Sequence, residues 1–321
     1  MLDKYTFDVD LDPVLQAALQ EELDVIIRLM KASDDLKSIE KEQLFMRHYP
    51  NHRHYTHLIS AQLRTCGGHA VANLLRGGKG PDYRTVVCDV ADHLNVSYDK
   101  DDSVPVIERC ILMSMTKKIY DDLGDKERDL LINSLSEQEA KAAIKIEDSK
   151  DEISKSNTAL AVPQSRELVL KAVQQGDYRL LSTNSLLMLS EALSTIFSSL
   201  AGVAQNSIVN ATDSVSRAAY ELAHAISSGL DVVKRVLLSL LEIGGPSYKV
   251  TVPCVTQIAS MRLRQSNALL TNSSVNLLAH NAHEDEAVSK DKSAEANETA
   301  ADSSTTNEDP DSSKKIAISH L

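Results

Sequence analysis

Apolar side chains recur at steps of three and four residues along most of the chain, and that spacing predicts helices. Leu15, Leu19, Leu23, Ile26, Ile27 and Met30 form the first such stripe, behind Asp12-Pro13, an N-cap candidate with Pro in the first turn. Polar residues 31–43 close this unit, so residues 1–40 read as a small N-terminal helical module. In residues 41–147, Leu58, Ile59 and Leu63 predict a helix stopped by Gly67-Gly68, and His69 to Arg76 predicts a short one before Gly77-Gly78-Lys79-Gly80. Asp82 is positioned to cap a third, with Val86, Val87, Val90 and Leu94 on its apolar face. Ile107, Ile111, Met115 and Ile119 predict a fourth. Ser136-Glu137-Gln138-Glu139 has capping-box spacing and predicts a new helix start.

Residues 148–162 are polar and weakly patterned, a linker candidate. Residues 163–271 then read as a Ser/Ala-rich helical domain, with one stripe through Leu186, Leu189, Leu193, Ile196, Leu200 and Val203. Another runs from Ile208 to Leu240, until Gly244-Gly245-Pro246. Tyr248-Lys249-Val250-Thr251-Val252 is rich in β-favouring residues and predicts a short β-like segment, with a helix starting at Pro253. The fold class expected is all-α, a multi-helix bundle with that one extended interruption. Residues 272–321 are different in kind. From 281 onward ten acidic and four basic side chains give a net charge of −6 with few bulky apolar residues, which predicts a disordered acidic tail.

Composition narrows the function. The 321 residues carry 34 Lys plus Arg against 46 Asp plus Glu, a net charge of −12, which counts against broad nucleic-acid binding. Aromatics are only 4% and Trp is absent, so aliphatic side chains must build the core. Met1-Leu2-Asp3-Lys4 does not begin a signal-peptide pattern, and Cys66, Cys88, Cys110 and Cys254 are dispersed. A cytoplasmic protein with free thiols is the expectation.

Three constellations invite chemistry and fail on spacing. His48, His52, His54 and His57 are close in sequence, but no Cys or clear carboxylate completes a metal set and Pro50 breaks the first pair apart. Lys79 precedes Gly80 and Pro81 rather than Ser or Thr, and the loop leaves an expected helix rather than a strand, so it is no Walker cradle. Neither G-x-S-x-G nor H-E-x-x-H occurs, so no catalytic residue, metal or cofactor is assigned. The 21 uncharged residues between Glu191 and Asp213 could span a bilayer, but their many Ser, Thr, Asn and Gln residues make insertion costly. A helical hairpin over 182–243 that associates with a membrane surface is the alternative to a protein-binding role, and an unrecognised hydrolase is the third reading.

Five of the 11 glycines lie between residues 67 and 80, where turns need positive φ or close approach of another group. The string QLRTCGGHAVANLLRGGKGPDYRTVVCDVADHLNV, residues 62–96, resembles the YaaW family of bacterial proteins. The pattern falls on Gly67, Gly68, Asn73, Arg76, Gly77, Gly80, Tyr83, Arg84, Asp89 and Val90. YKVTVPCVTQIASMRLR at 248–264 is a second match, and residues 8–30 look like the helical module at that family's N-terminus. The family is similar in turn to the ubiquinol-cytochrome c chaperone domain. The resemblance therefore implies a helical partner-binding surface in residues 41–147 and supplies no catalytic residues. Arg76, Gly77, Gly80, Tyr83, Arg84 and Asp89 are the expected partner-binding residues, at the inner membrane face if the membrane association holds.

Overall fold

The computed structural model describes residues 5–33, 36, 39–67, 80–147, 154–202, 214–228, 230–242 and 248–269. Among these the elements are helical and no strand occurs. They are α1 (Asp12–Ala17), α2 (Gln20–Ala32), α3 (Gln43–His48), a 3₁₀ turn (His52–Tyr55), α4 (Thr56–Cys66), α5 (Tyr83–His93), α6 (Val104–Asp122) and α7 (Asp125–Glu147). Then come α8 (Ser154–Gln175), a 3₁₀ turn (Tyr178–Leu180), α9 (Thr183–Leu200), α10 (Ser214–Ser228), α11 (Leu230–Glu242) and α12, residues 248–269. Residues Met1–Asn267 form one compact unit, and buried side chains from the segments 1–40, 41–147 and 163–267 belong to one core. The tail, 272–321, and the short helix expected at His69 to Arg76 lie outside the described residues.

The periodic stripes are buried as expected: Leu23, Ile26, Ile27 and Met30 in α2, Val86, Val87 and Val90 in α5, Ile107, Ile111 and Met115 in α6. Helix α7 packs along α8, α9 lies against α10 and α7, and α5 packs on α6. Asp82 caps α5 by accepting from Thr85 N at 2.8 Å. Gly67 ends α4, and a Cβ there would stand 2.5 Å from Val86 Cγ2. At Gly80 it would stand 2.3 Å from the carbonyl carbon of Arg64. Both glycines serve close approach, because the backbone before α5 lies directly on the end of α4.

Several local expectations give way to packing. The segment 248–252 is helical rather than β-like and opens α12, five residues before Pro253. Val250, Val252, Val255, Ile258 and Met261 are fully buried, and burial at helical spacing outweighs the weak extended preference of β-branched side chains. The linker expected at 148–162 is helical from Ser154, and Pro163 sits inside α8. Asp12 is the first residue of α1 rather than its cap. No helix starts at Ser136. Helix α7 runs through it, Ser136 Oγ donates to Ile132 O at 2.6 Å, and Glu139 instead accepts from Ser182 N at 2.7 Å, ahead of α9.

Helix α9 departs most from its pattern. Every residue from Ser185 to Ser198 is buried, so the helix is covered on all sides rather than along one stripe. Its hydroxyls make this possible. Ser190 Oγ donates to Leu187 O and Thr195 Oγ1 to Glu191 O, both at 2.8 Å, returning polar groups to the helix's own carbonyls.

Candidate functional site

Of the six residues expected to bind a partner, Arg76 and Gly77 lie outside the described residues. Gly80 packs on Arg64 as above. Tyr83 is 0% exposed, so it presents nothing to a partner. Its backbone N donates to Asp8 Oδ2 at 2.8 Å and its hydroxyl to Glu108 Oε1 at 2.9 Å. Arg84 donates to Asp102 O at 2.6 Å and Lys100 O at 2.5 Å, tying α5 to the turn before α6. Asp89 is half-buried near Tyr248, whose hydroxyl is pushed up by burial and then by Asp89 and Asp92. The four described residues serve contacts within the fold: Gly80 with α4, Tyr83 with Asp8 and Glu108, Arg84 with the turn before α6, and Asp89 beside Tyr248.

What converges is a buried set of charges. Arg262 on α12 pairs with Glu108 on α6 at 2.8 Å and donates to Asp10 O at 2.6 Å. Glu108 is 1% exposed, and burial pushes its carboxyl up against the opposing pull of Arg262 and the Tyr83 hydroxyl. Asp8 accepts from Leu11 N and Asp10 N in its own turn, and lies 3.4 Å from Arg64 on α4. Arg64 also donates to Thr6 O at 2.9 Å. On the other side of α12, Arg264 stands 3.2 Å from Glu22 of α2 and pairs with Glu191 of α9. Burial raises the Glu22 carboxyl. Arg262 and Arg264 are two residues apart, about 200° around a helix, and so reach opposite sides of α12.

Glu108 and Arg262 also line a cleft of about 180 Å³ between α6 and α12. Pro105, Glu108 and Arg109 form the α6 wall; Ala259, Arg262, Leu263 and Ser266 form the other. Both sets follow three- and four-residue steps, so each is one face of a helix. In the sequence Arg262 stands only within the string at 248–264, and Glu108, Arg109 and Ser266 carry no motif. Their one legible signal is that Glu108 and Arg109 sit beside the apolar stripe of Ile107 and Ile111.

The histidines serve different neighbours. His52 is buried, with Nδ1 2.5 Å from Tyr55 Oη and Nε2 3.2 Å from Asp24 Oδ1. His48 stacks on His54 at 4.4 Å, and His57 meets the edge of the Tyr5 ring. Among the described residues no group of three or more His, Cys, Asp or Glu is arranged to hold a metal ion. No disulfide joins the described cysteines; Cys254 is buried and the other three are half-buried.

An all-α protein whose helices lock together through buried ion pairs is the class these features define. The chain is similar to a UPF0174 protein of Helicobacter pylori strain J99, 22% identical over 270 residues, 82% of this chain and 94% of that protein. It is also similar to UPF0174 protein YaaW of Escherichia coli O157:H7, 24% identical over 269 residues, 80% of this chain and 95% of that protein. No family model and no solved structure matches the chain. The two similarities support the YaaW resemblance, and its three sequence anchors meet at the buried charges. The segment 8–30 contributes Asp8, Asp10 and Glu22, the string at 62–96 Arg64 and Tyr83, and the string at 248–264 Arg262 and Arg264.

Proposed function

We propose that the protein is a non-enzymatic, cytoplasmic helical interaction protein that binds a protein partner, as a chaperone-like assembly factor does. The observation that supports this reading is the apolar surface of the N-terminal segment. Phe7 is 56% exposed, Val9 76% and Met46 63%, with Leu19 and Tyr49 about half exposed as well. Thr6 and Asp8 alternate with Phe7 and Val9 and are bound to Arg64, which leaves the two apolar side chains facing out. Gln20, next to Leu19, donates to Pro50 O and accepts from His52 N, which joins the segment bearing Leu19 to the one bearing Tyr49. Exposed apolar side chains on rigidly held segments are the raw material of a protein-binding face.

Two further features favour binding over acid–base chemistry. Glu108 and His52, the buried groups best suited to move protons, both have their polar atoms engaged by structural partners. The membrane alternative draws less support, because α9, the first half of the 182–243 hairpin, is already enclosed on all sides. No helix among the described residues is long and apolar enough to cross a membrane.

Affinity purification of the tagged protein from its own cells, with and without detergent, tests the reading. A protein that co-purifies with the wild type and is lost from a Phe7→Ser, Val9→Ser, Met46→Ser variant of unchanged circular dichroism and Tm is the expected result. Retention of every associated protein by that variant would refute it.

A further inference from the structure

Arg109 stands in the second turn of α6 with no ion-pair or hydrogen-bond partner among the described residues. Its Nε is buried and unbonded, and the Tyr178 ring lies 6.0 Å from its Cζ. Every other charged side chain lining the cleft is satisfied: Glu108 by Tyr83 and Arg262, Arg262 by Glu108 and Asp10 O. A buried guanidinium donor left unbonded is unfavourable, so a site that holds one is prepared for an acceptor from outside.

The charges in the cleft specify that acceptor. Arg109 and Arg262 against Glu108 leave one positive charge, which a single negative charge completes. A dianion such as phosphate would face the Glu108 carboxylate, whereas a planar carboxylate matches the fork of one guanidinium. Ser266 adds a hydroxyl that can donate to the second oxygen. Pro105, Ala259 and Leu263 make the remaining surface apolar. The roughly 180 Å³ cleft is larger than a single-water cavity and has room for a carboxylate on a chain of a few carbons.

We propose that the cleft between α6 and α12 binds a short-chain monocarboxylate, with the carboxylate on Arg109 and the alkyl chain on Pro105, Ala259 and Leu263. This site is separate from the exposed apolar face and does not depend on the protein-binding reading. The test titrates the full-length chain with butanoate, and in parallel with inorganic phosphate and butan-1-ol, followed by amide chemical shifts of residues 104–110 and 258–267. Saturable shifts with butanoate, and at least tenfold weaker ones with the other two, are expected. Arg109→Gln should weaken butanoate at least tenfold while the circular dichroism stays that of the wild type, since Arg109 makes no hydrogen bond or ion pair among the described residues and only its contact with the Tyr178 ring is lost. Ser266→Phe, from a half-buried position at the cleft, should block binding independently and carries the test if Arg109→Gln fails to fold. No saturable butanoate shift, phosphate binding as tightly as butanoate, or full binding by both variants overturns the proposal.

Discussion

Tyr83 and Arg84 are adjacent and have the side chains expected of contact residues, yet both are engaged within the fold. Tyr83 opens α5 on the buried side, where its hydroxyl completes Glu108. Arg84, one position on, reaches the carbonyls of the turn before α6. Glu108→Ala removes the carboxylate from both Arg262 and Tyr83, leaves a buried charge uncompensated, and should cost about 3–5 kcal/mol in urea unfolding. Arg84→Ala loses two charge-assisted hydrogen bonds and should cost about 1–3 kcal/mol by the same measurement. His52 sets a pH dependence of definite sign. Burial lowers its pKa against the opposing pull of Asp24, so below about pH 6.5 the unfolded chain binds a proton that the folded imidazole resists. Its contribution is present above that pH and is lost as the pH falls through the ordinary histidine range. His57 is lowered for the same reason. Thermal melts from pH 7.5 to 5 should therefore show a shallower loss of Tm in His52→Gln than in the wild type, and an identical slope would refute the assignment. None of these partnerships is legible from residue spacing. Glu108 and Arg262 lie 154 positions apart, and His52 and Asp24 lie 28 apart.

At the scale of elements, the periodic stripes were legible because a helix must bury one face, and three- and four-residue spacing states which. The Gly67 stop and the Asp82 cap were legible for equally local reasons. Errors arose where an element has more than one neighbour. Helix α9 is enclosed all round, with Ser190 and Thr195 bonded to its own backbone and Ser194 to Gln257. Helix α12 begins through Val250-Thr251-Val252 because these residues open a continuous buried run, 250–261. The S-x-x-E string at 136–139 lies mid-helix, with its Glu used across the fold at Ser182. Gly80 tests the packing of α4 on the approach to α5. Gly80→Ala puts a methyl into the Arg64 carbonyl, where backbone rather than a flexible side chain must move, and should cost at least about 1–3 kcal/mol in chemical denaturation. A Tm equal to that of the wild type would mean the two backbones are not in contact.

For the molecule as a whole, the unit Met1–Asn267 is closed by contacts between its two ends. Arg262 donates to Asp10 O, Gln265 to Val14 O at 3.0 Å, and Arg264 faces Glu22. A chain ending at Asn267 should therefore melt cooperatively at the wild-type temperature, whereas a chain starting at Asp12 should lose the Asp8 and Asp10 contacts and melt markedly lower. Calorimetry of the two truncations separates these outcomes, and equal stability of both would disprove closure through the N-terminus. The amino-acid sequence by itself determined the all-α class, the positions of most helices and the aliphatic core, because each follows from the period of apolar side chains and from capping chemistry within a few residues. Only the tertiary structure decided that Arg262 and Arg264 face opposite sides of one buried helix, that Tyr83 belongs to the core, and that Arg109 stands unpaired in a cleft. Charge pairing over hundreds of positions depends on which helix faces meet, and those faces meet only when the chain is folded.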